Sequence, residues 1–469
     1  MNSAKIIVIG SGPSGIAAAT KLLELGFQKV TLLEAENRIG GRINTIPFAN
    51  NVVDMGAQWC HGEKDNVVFD LANQQPNLLE HSDEYASKQN FIRSNKYILP
   101  EATSKRLQDI IDKHIDNEVE MKNFKGSLKE YITEKYFQEL QKPENSDIDT
   151  NIGKEFFDNF QKFENAIDAA DSLSDISTRD YHENWESEGD QLLNWKDKGY
   201  LRFLQLLMKS TDSKKLGVLD QRVELGKPVK KIIWSDRGVL VTCEDGEVKE
   251  ADHVIVTVSL GVLKELHSSL FEPKLPEKKT QAIETLGFGT VNKVFLEFPN
   301  EFWPVNWEGF ALLWREEDLK EIRGTNRAWL EDMFTFVTVK YQPKLLNGVI
   351  VGPNARLMET LPREEVISGC MYLLRKFLKW EIPEPINSTT SSWYSNKHFR
   401  GSYSHATVKA EKINAKPAHL ASTLVNSENK PVVLFAGEAT NDHHFSTVHG
   451  AVETGWREAQ RLADIYSVK

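Results

Sequence analysis

Cysteine is scarce in this sequence, and long hydrophobic runs are missing. The three cysteines, Cys60, Cys243 and Cys370, lie far apart and form no CxxC pair, so neither a disulfide framework nor a zinc site is indicated. A reducing compartment fits this pattern best. No stretch approaches the ~18 uninterrupted apolar residues of a membrane span. Residues 1–10 and 467–469 lack the patterns of secretory and peroxisomal signals. We therefore expect a soluble, cytoplasmic protein that makes no contact with membranes.

The sequence has fewer basic than acidic residues, and its 469 residues carry a net charge of -11. This argues against nucleic acid as a general partner. Residues 143–190 contain fourteen acidic and three basic residues, so this segment accounts for the whole excess. The segment is either a solvated acidic surface or a field that attracts a cationic substrate. The hydrophobic content of 40% is that of a globular protein, and the length predicts two domains or two interleaved lobes.

Hydrophobic patterns predict a mixture of helices and strands. Residues 5–9, 14–25 and 30–33 are predicted to form a strand, a helix and a second strand, with Pro13 and Gly26 at the ends of the helix. Helical periodicity predicts further helices at residues 104–122, 131–140, 156–170 and 367–379. Strand patterns recur at residues 230–234, 239–242, 251–258, 291–298, 334–339 and 432–436.

A glycine-rich turn joins the first strand to the first helix. Gly10, Gly12 and Gly15 fit the pattern GxGxxG, in which the glycines permit the turn, admit a pyrophosphate and let the helix pack on the strand. The helix N-terminus, which includes Ser14, offers free amides to the diphosphate. Glu34 follows the second strand, where a carboxylate accepts hydrogen bonds from a ribose. The segment predicts a dinucleotide site but does not separate FAD from NAD.

A second glycine pair favours FAD. Residues 38–42 have the sequence Arg-Ile-Gly-Gly-Arg, in which the backbone of Gly41 and the guanidinium of Arg42 are both suited to a phosphate. A plain glycine turn is the alternative. The segment resembles the RxGGR signature of the flavin amine oxidase family. Later segments resemble that family's other motifs in the same order, at residues 54–62, 254–263, 393–404 and 436–450. Residues 143–199 resemble none of them.

The resemblance implies both a fold and a reaction. The fold class is α/β, with an FAD-binding Rossmann-like domain of the GR2 type interleaved with a substrate-binding domain of mixed sheet and helices. The first domain is expected at residues 1–77, 197–283 and 392–469, and the second at residues 78–196 and 284–391. Members of this family pass a hydride from a carbon beside an amine nitrogen to flavin N5. Water hydrolyses the imine, and dioxygen reoxidises the flavin to give hydrogen peroxide. The expected partners are a small cationic amine and dioxygen, and the chain is expected to be a monomer or homodimer.

Cofactor contacts follow from the same resemblance. Those beyond the first glycine turn are expected at Gly41, Arg42, Gln58, Trp59, Val229, Trp393, Glu438, Thr447 and Val448. Monoamine oxidases bond the flavin covalently through a cysteine at the position of Ser402, so a serine there implies non-covalent FAD. His443 and His444 would point to opposite faces of a strand, and no metal site is predicted there.

Two residues are candidates for the chemistry. Lys293 resembles the family lysine that holds a water at flavin N5, although on its local sequence it could equally be a surface lysine at a strand end. His61 matches the histidine of animal polyamine oxidases that lies near the flavin and the substrate. A histidine titrates near neutrality and so can set the protonation of the amine. The alternative is a hydrogen-bonded structural histidine.

The resemblance also concerns substrate contacts. Monoamine oxidases hold the substrate between two tyrosines. Tyr403 matches one of them, whereas Thr447 stands at the position of the other and leaves room for a long, flexible amine. Core packing is the alternative for Tyr403. From charge alone, the candidates for binding a distal ammonium are Glu186, Glu188 and Asp190. A solvated loop fits these acidic residues as well.

Among the family members, the sequence is most like animal polyamine oxidases, the spermine and N1-acetylpolyamine oxidases, because plant-type enzymes have a glutamate in place of His61. We therefore predict oxidation of spermine, spermidine or an acetylated polyamine at a carbon beside a secondary amine. Val291 stands where acetylpolyamine oxidases have an asparagine, which counts against an acetylated substrate. The alternatives are a monoamine or L-amino-acid oxidase of the same fold, or a flavin-binding protein without turnover.

Overall fold

Helices and strands alternate along most of the chain in the computed structural model, which describes residues 2–81, 90–212 and 215–467. The strands are β1 (Asn2–Ile9), β2 (Phe27–Leu33), β3 (Thr45–Phe48), β4 (Asn51–Asp54), β5 (Asn90–Arg93), β6 (Val223–Glu224), β7 (Val229–Ser235), β8 (Gly238–Cys243), β9 (Val248–Ala251), β10 (His253–Val256), β11 (Phe271–Glu272), β12 (Gly287–Phe288), β13 (Val291–Glu297), β14 (Gly309–Leu313), β15 (Met333–Val339), β16 (Gln342–Val351), β17 (Asn387–Thr390), β18 (Ser404–His405), β19 (Leu424–Val425) and β20 (Pro431–Phe435). The helices are α1 (Pro13–Glu24), α2 (Val67–Asn73), α3 (Glu101–Ile115), α4 (Glu118–Asn123), α5 (Leu128–Leu140), α6 (Thr150–Asp168), α7 (Leu201–Leu207), α8 (Leu260–Leu270), α9 (Glu277–Thr285), α10 (Glu316–Arg323), α11 (Gly352–Met358), α12 (Arg363–Phe377), α13 (Val408–Lys412), α14 (Pro417–Ala421) and α15 (Val448–Ser467).

A mostly parallel sheet of six strands has the order β19-β20-β10-β1-β2-β6. Only β19, at its edge, pairs antiparallel. The second half of strand β1, residues 6–9, is entirely apolar because both faces of the strand are covered there. Ile6 and Val8 belong to one hydrophobic core, and Ile7 and Ile9 belong to another. The strands of this sheet come from three separated stretches of the chain, as an interleaved domain requires. The predicted domain limits themselves stay a prediction.

Helices α1 and α15 pack closely on one another beside this sheet. A methyl group added at Gly455 of α15 would lie 2.2 Å from the carbonyl oxygen of Ser14, so the approach of the two helices requires a glycine. The last helix therefore supports the first turn of α1. That turn is where the glycine-rich motif ends.

A second six-stranded sheet, with the order β17-β13-β16-β15-β14-β5, lies in the other half of the molecule. Its strands pair antiparallel except for β5 and β14. Helix α6 lies against this sheet, since Asn159 donates hydrogen bonds to the carbonyl oxygens of Leu312 and Phe334, at 3.1 and 2.9 Å. Helices α3, α5 and α6 share one hydrophobic core, which includes Tyr136 and Phe157.

Two predicted elements are each divided in the structure. The helix expected at residues 104–122 is the pair α3 and α4, and Asn117 begins α4 by accepting a hydrogen bond from the amide of Glu120. The strand expected at residues 251–258 is β10 alone, because Ala251 ends β9 in a different sheet. Ser259 then caps α8. None of the helices within the described ranges has the length and hydropathy needed to span a membrane.

Candidate active site

A cavity of about 1730 Å³ is lined by residues of both six-stranded sheets. Gly10 and Glu34 at the ends of parallel strands line one part of it, and Lys293 of β13 and Thr335 of β15 line another. Sites for one small ligand usually measure ~300–1,000 Å³. The cavity is therefore large enough for a dinucleotide together with a second molecule.

The glycine-rich turn forms a narrow wall of the cavity. A methyl group added at Gly15 would lie 1.9 Å from the carbonyl oxygen of Gly10, so this glycine serves the packing of α1 on β1. Gly12 differs, because an added methyl group would have only the Cα of Gly41 within 4 Å, at 3.9 Å. Gly10, Gly12 and Gly41 line the cavity, whereas Gly15 does not. The backbone at Gly12 is thus open to a ligand.

The N-terminus of α1 faces this same wall. Gly12 is its N-cap residue and provides no side-chain hydrogen bond, and Ser14 in its first turn lines the cavity. The first amides of a helix have no partner inside the helix, and the helix dipole adds partial positive charge there. Together with the open backbone of Gly12, this end of α1 fits a diphosphate.

Glu34 is fixed at the end of β2 by three hydrogen bonds. Its Oε2 accepts from the amide and hydroxyl of Ser11 at 2.8 and 2.7 Å, and its Oε1 accepts from the amide of Glu36 at 2.8 Å. A carboxylate has about four acceptor positions. Glu34 can therefore accept a further bond from a ribose hydroxyl in the cavity that it lines.

Arg42 joins the first motifs of the chain to the last ones. Its Nη1 donates to Glu438 Oε1 at 2.9 Å and to the carbonyl oxygen of Ser402 at 2.6 Å. The other oxygen of Glu438 accepts from the hydroxyl of Ser404 and from the amide of Ser446. Arg42, Ser402 and Glu438 all line the cavity, so this network forms part of its wall.

Lys293 is buried, with 9% of its surface exposed, and its Nζ donates three hydrogen bonds. The acceptors are the carbonyl oxygens of Asp54 and Gly56, both at 2.9 Å, and the amide oxygen of Gln58 at 2.7 Å. Burial lowers the pKa of Lys293 to about 8, against the opposing charge of Asp54. The lysine is therefore a cation at neutral pH, and its position is not that of a surface lysine.

His61 lines the cavity and bonds to protein through one ring nitrogen. Its Nδ1 lies 2.6 Å from the carbonyl oxygen of Gln191. Because a carbonyl only accepts, Nδ1 carries the proton, and Nε2 of the neutral ring is left as an acceptor. Part of the His61 side chain is exposed, but the protein around it removes enough water from the ring to lower its pKa, and this favours the neutral form.

The other predicted cofactor and substrate contacts fall mainly on the cavity wall. Tyr403 lines the cavity, and its hydroxyl donates to the carbonyl oxygen of Ala166 in α6. The remaining predicted contacts that line the cavity are Gln58, Trp59, Val229, Trp393, Thr447 and Val448. His443 and His444 lie in a turn before α15, not in a strand, and His444 bonds to Glu453 at 2.9 Å.

The structure does not bring the three acidic candidates together. Glu186 lines the cavity. Glu188 is exposed and pairs with Lys64 at 3.0 Å, and Asp190 lies 3.5 Å from His81. Neither Glu188 nor Asp190 lines the cavity.

Helix α6, which lines the cavity, also carries two buried acidic residues that do not line it and that the sequence analysis did not single out. Glu164 and Asp168 are both buried, and Tyr181 donates a hydrogen bond to Glu164 at 2.7 Å. They lie four residues apart and continue the row of Phe156 and Phe160, which is the apolar face of the helix. That spacing was visible in the sequence. Acidic residues on the buried face of a helix are the signal that could have identified them.

Comparisons with known proteins support this picture. The family model "Flavin containing amine oxidoreductase" matches residues 13–463. The peroxisomal N(1)-acetyl-spermine/spermidine oxidases of Bos taurus and Homo sapiens are 31% and 30% identical to the chain. Those alignments cover 98% and 99% of this chain and 95% of each relative. A solved structure of wild-type putrescine oxidase bound to putrescine superposes with a TM-score of 0.71 at 20% identity, over 99% of both chains.

Gly12→Ala should separate cofactor binding from folding. The backbone angle φ of -71° suits alanine, and the new methyl group meets no protein atom closer than 3.9 Å. It would instead stand where the diphosphate approaches the backbone. We expect an unchanged melting temperature of the apoprotein and an FAD affinity at least about tenfold lower, or ~1.4 kcal/mol. Fluorescence titration of the apoprotein with FAD measures the change. Gly15→Ala, the control, should lower both quantities, and wild-type affinity in Gly12→Ala would contradict this account.

Lys293→Met should change how stability depends on pH. The folded-state pKa of about 8 lies below the 10.5 of a free lysine, so between these values the unfolded chain binds more protons. Stability of the wild type should therefore rise with pH in this window relative to Lys293→Met, by at most about 1.4 kcal/mol per pH unit. Urea unfolding of both apoproteins at pH 7.5, 9 and 10 measures the difference. A constant difference would show that burial does not lower this pKa.

Proposed function

Because the chain belongs to the flavin containing amine oxidoreductase family and is an FAD-dependent amine oxidase, we propose that its substrate is a polyamine. The reaction is oxidation of a carbon beside a secondary amine of spermine, spermidine or an N-acetylated derivative. The observation that carries the proposal is that one continuous cavity is lined by the glycine-rich turn and by Lys293, His61 and Tyr403. This cavity also extends along α3 and α6. The activity in the names of the bovine and human relatives supports the same substrate class.

FAD, when bound, supplies the acceptor for the hydride, and its reoxidation by dioxygen yields hydrogen peroxide. Ser402 offers no thiol for a covalent bond, and its hydroxyl donates to the carbonyl oxygen of Val291 at 3.1 Å. We propose that the cofactor is held without a covalent bond, by the N-terminus of α1, Glu34 and Arg42.

His61 is proposed to remove the proton of the substrate ammonium. An amine must be neutral before hydride leaves the adjacent carbon, and His61, which lines the cavity, has its Nε2 left as an acceptor. Its lowered pKa keeps this acceptor available at neutral pH. Activity should accordingly fall as acid protonates the ring.

Lys293 is proposed to hold the water that hydrolyses the imine. All three of its N–H donors already bond to protein acceptors. Two of these acceptors are backbone carbonyls, and the third is the side chain of Gln58. A water held by Lys293 would therefore take the place of the Gln58 amide oxygen as the third acceptor, because a side-chain amide can rotate away while the backbone carbonyls stay in place.

The alternative of an L-amino-acid oxidase lacks support at the cavity wall. Such an enzyme is expected to use an arginine for the substrate carboxylate, because a guanidinium binds a carboxylate through two parallel hydrogen bonds. Over the described ranges, the arginines that line the cavity are Arg42 and Arg400, which bond to Glu438 and Glu265. Tyr403 with Thr447 gives one aromatic wall instead of two, and Val291 offers no donor to an acetyl group. These features favour a long, unacetylated polyamine.

Anaerobic reduction of the flavin tests the proposed substrate. The holoenzyme would be mixed with spermine, spermidine, N1-acetylspermine, benzylamine and leucine, and the flavin absorbance near ~450 nm followed, since the flavin is the hydride acceptor. We expect fast bleaching by at least one polyamine, with spermine or spermidine faster than N1-acetylspermine. Bleaching by benzylamine or leucine alone would overturn the polyamine assignment. A flavin that none of these amines reduces would favour a flavin-binding protein without turnover.

Lys293→Met should impair turnover much more than removal of another buried lysine. Lys279, 1% exposed, donates to the carbonyl oxygens of His419 and Leu420 and does not line the cavity. We expect kcat/KM for the best polyamine to fall about 10²-fold in Lys293→Met, the scale of a lost acid–base group, and to change less than about twofold in Lys279→Met. Steady-state peroxide release measures both. Equal kcat/KM in the two variants would remove Lys293 from the chemistry.

A further inference from the structure

Lys293 is held from the side of its strand that faces away from the cavity. Side chains alternate between the two faces of a strand, so Asn292 points away from the cavity that Lys293 lines. Asn292 is fully buried. Its Nδ2 donates to Glu359 Oε1 at 2.7 Å and to the carbonyl oxygen of Ala355 at 3.2 Å, and its Oδ1 accepts from the hydroxyl of Ser391 at 3.0 Å. These bonds fix the orientation of the Asn292 amide.

Ser391 passes this constraint to the backbone of Lys293. Its hydroxyl accepts from the amide of Lys293 at 2.8 Å, and its own amide donates to the carbonyl oxygen of Lys293 at 3.0 Å. The hydroxyl proton of Ser391 is directed at Asn292, so the oxygen presents its lone pairs to Lys293. Both backbone polar groups of the lysine are therefore held by one residue.

Glu359, the residue after α11, also binds the segment that follows Trp393. Its Oε1 accepts from the amide of Tyr394 at 3.0 Å, and its Oε2 accepts from the amide of Ser395 at 2.6 Å. Together with Asn292, the carboxylate therefore has three donors. Glu359 is partly exposed and does not line the cavity, whereas Trp393 does. Any effect of Glu359 on the reaction has to pass through the residues that it holds.

Trp393 contacts the loop that accepts the ammonium group of Lys293. Its Nε1 donates to the carbonyl oxygen of Met55 at 3.2 Å. Met55 stands between Asp54 and Gly56, whose carbonyl oxygens each accept from the lysine Nζ at 2.9 Å. A methyl group added at Gly56 would lie 2.8 Å from the indole ring, so the loop and the ring are in direct contact. The carboxylate of Glu359 is thus joined both to the strand of the lysine and to the loop of its acceptors.

We propose that Glu359 is a positioning residue for Lys293, whose carboxylate holds strand β13 and residues 54–56 at the spacing at which the ammonium group reaches its acceptors. The inference rests on the proposed function of Lys293 and extends it to a residue outside the cavity. A carboxylate only accepts hydrogen bonds, and here it serves three N–H donors from two segments. A displacement of about 1 Å at a group that takes part in the chemistry can slow a reaction about 10²-fold.

Glu359→Gln keeps the size of the side chain and removes one acceptor. The new amide nitrogen would face an N–H donor, so at least one of the three bonds is lost. In the holoenzyme we expect kcat for the best polyamine to fall about tenfold and KM to change less than about twofold, because Glu359 lies outside the cavity. Steady-state peroxide release measures both, and an unchanged kcat would overturn the inference. If this variant does not fold, Glu359→Ala replaces it, because water can reach the freed amides at a partly exposed position.

The same substitution in Lys293→Met shows whether Glu359 acts through the lysine. The effects of two residues that act through one contact are not additive. Adding Glu359→Gln to Lys293→Met should therefore lower kcat by a further factor of less than about two. A full further decrease in the double variant would mean that Glu359 acts by another route, and the inference would be wrong.

Glu411→Gln is the matched control. Glu411 of α13 is also partly exposed, accepts from the hydroxyl of Ser177 at 2.8 Å, pairs with Arg179 at 3.5 Å and does not line the cavity. We expect its melting temperature to fall as in Glu359→Gln, with kcat unchanged. An equal loss of kcat in the two variants would mean that any loosening of the structure slows the enzyme, and would remove the specific role of Glu359.

A measurement without turnover separates this inference from the proposed function. The carbonyl acceptors and the facing charge of Asp54 favour the protonated form of Lys293. Displacing the acceptors in Glu359→Gln should lower the pKa of Lys293 further, by about half a unit or more. Between its folded and unfolded pKa values, a lysine makes stability rise with pH, so this rise should begin at a lower pH in Glu359→Gln.

Urea unfolding of the apoproteins at pH 6.5, 7.5, 8.5 and 9.5, each compared with its own Lys293→Met variant, measures that pKa. The same pKa in both backgrounds would overturn the positioning role. If the pKa shifts but the wild-type holoenzyme oxidises no polyamine, only the proposed function fails.

Discussion

The carboxylate of Glu438 is where the separated motifs of the chain meet. It is 4% exposed, so its charge has to be balanced inside the protein. Arg42 from the second glycine pair provides the opposite charge, and the hydroxyl of Ser404 and the amide of Ser446 provide hydrogen bonds. These partners come from three distant segments. If one segment shifted, a buried charge would lose a partner, and the penalty would be several kcal/mol. This one group therefore fixes the relative positions of the turn after β2, the strand β18 and the start of α15, which together form the cofactor side of the cavity.

Local signals in the sequence were enough for the family, the fold class and the cofactor. The spacing of Gly10, Gly12 and Gly15 is required by the backbone geometry of a strand–turn–helix unit that binds a dinucleotide, so it can be recognised from local sequence. The family comparison confirms that this dinucleotide is FAD. Element boundaries were less predictable. The prediction of a single helix at residues 104–122 overlooked Asn117, whose side chain caps the N-terminus of a second helix. The strand expected at residues 251–258 includes the point where the chain passes from the sheet of β9 to the sheet of β10, and hydrophobicity alone does not indicate that point. Both errors concern places where a polar contact or a tertiary neighbour interrupts an apolar pattern.

Side-chain partners could not be predicted from local sequence. Lys279 and Lys293 are both buried lysines, and burial lowers the pKa of each. What differs is the surrounding structure, since Lys293 bonds to the segment Asp54–Gln58 at the cavity and Lys279 bonds to carbonyls near α14. The acidic candidates show the same limit. Glu186 and Glu188 are two residues apart, yet one lines the cavity and the other pairs with a surface lysine.

The acidic excess of residues 143–190 now divides into two physical classes. Six of the fourteen acidic residues are exposed and five are partly exposed, so water screens the charges of these residues. Three acidic residues of the segment are buried. Glu155 pairs with Arg93 at 2.6 Å, whereas burial raises the pKa of Glu164 and of Asp168 and so disfavours the charged form of both carboxyl groups. Folding alone would favour apolar residues at these two positions, since Phe156 and Phe160 precede them on the same face of α6. The stability lost there has to be offset elsewhere in the molecule.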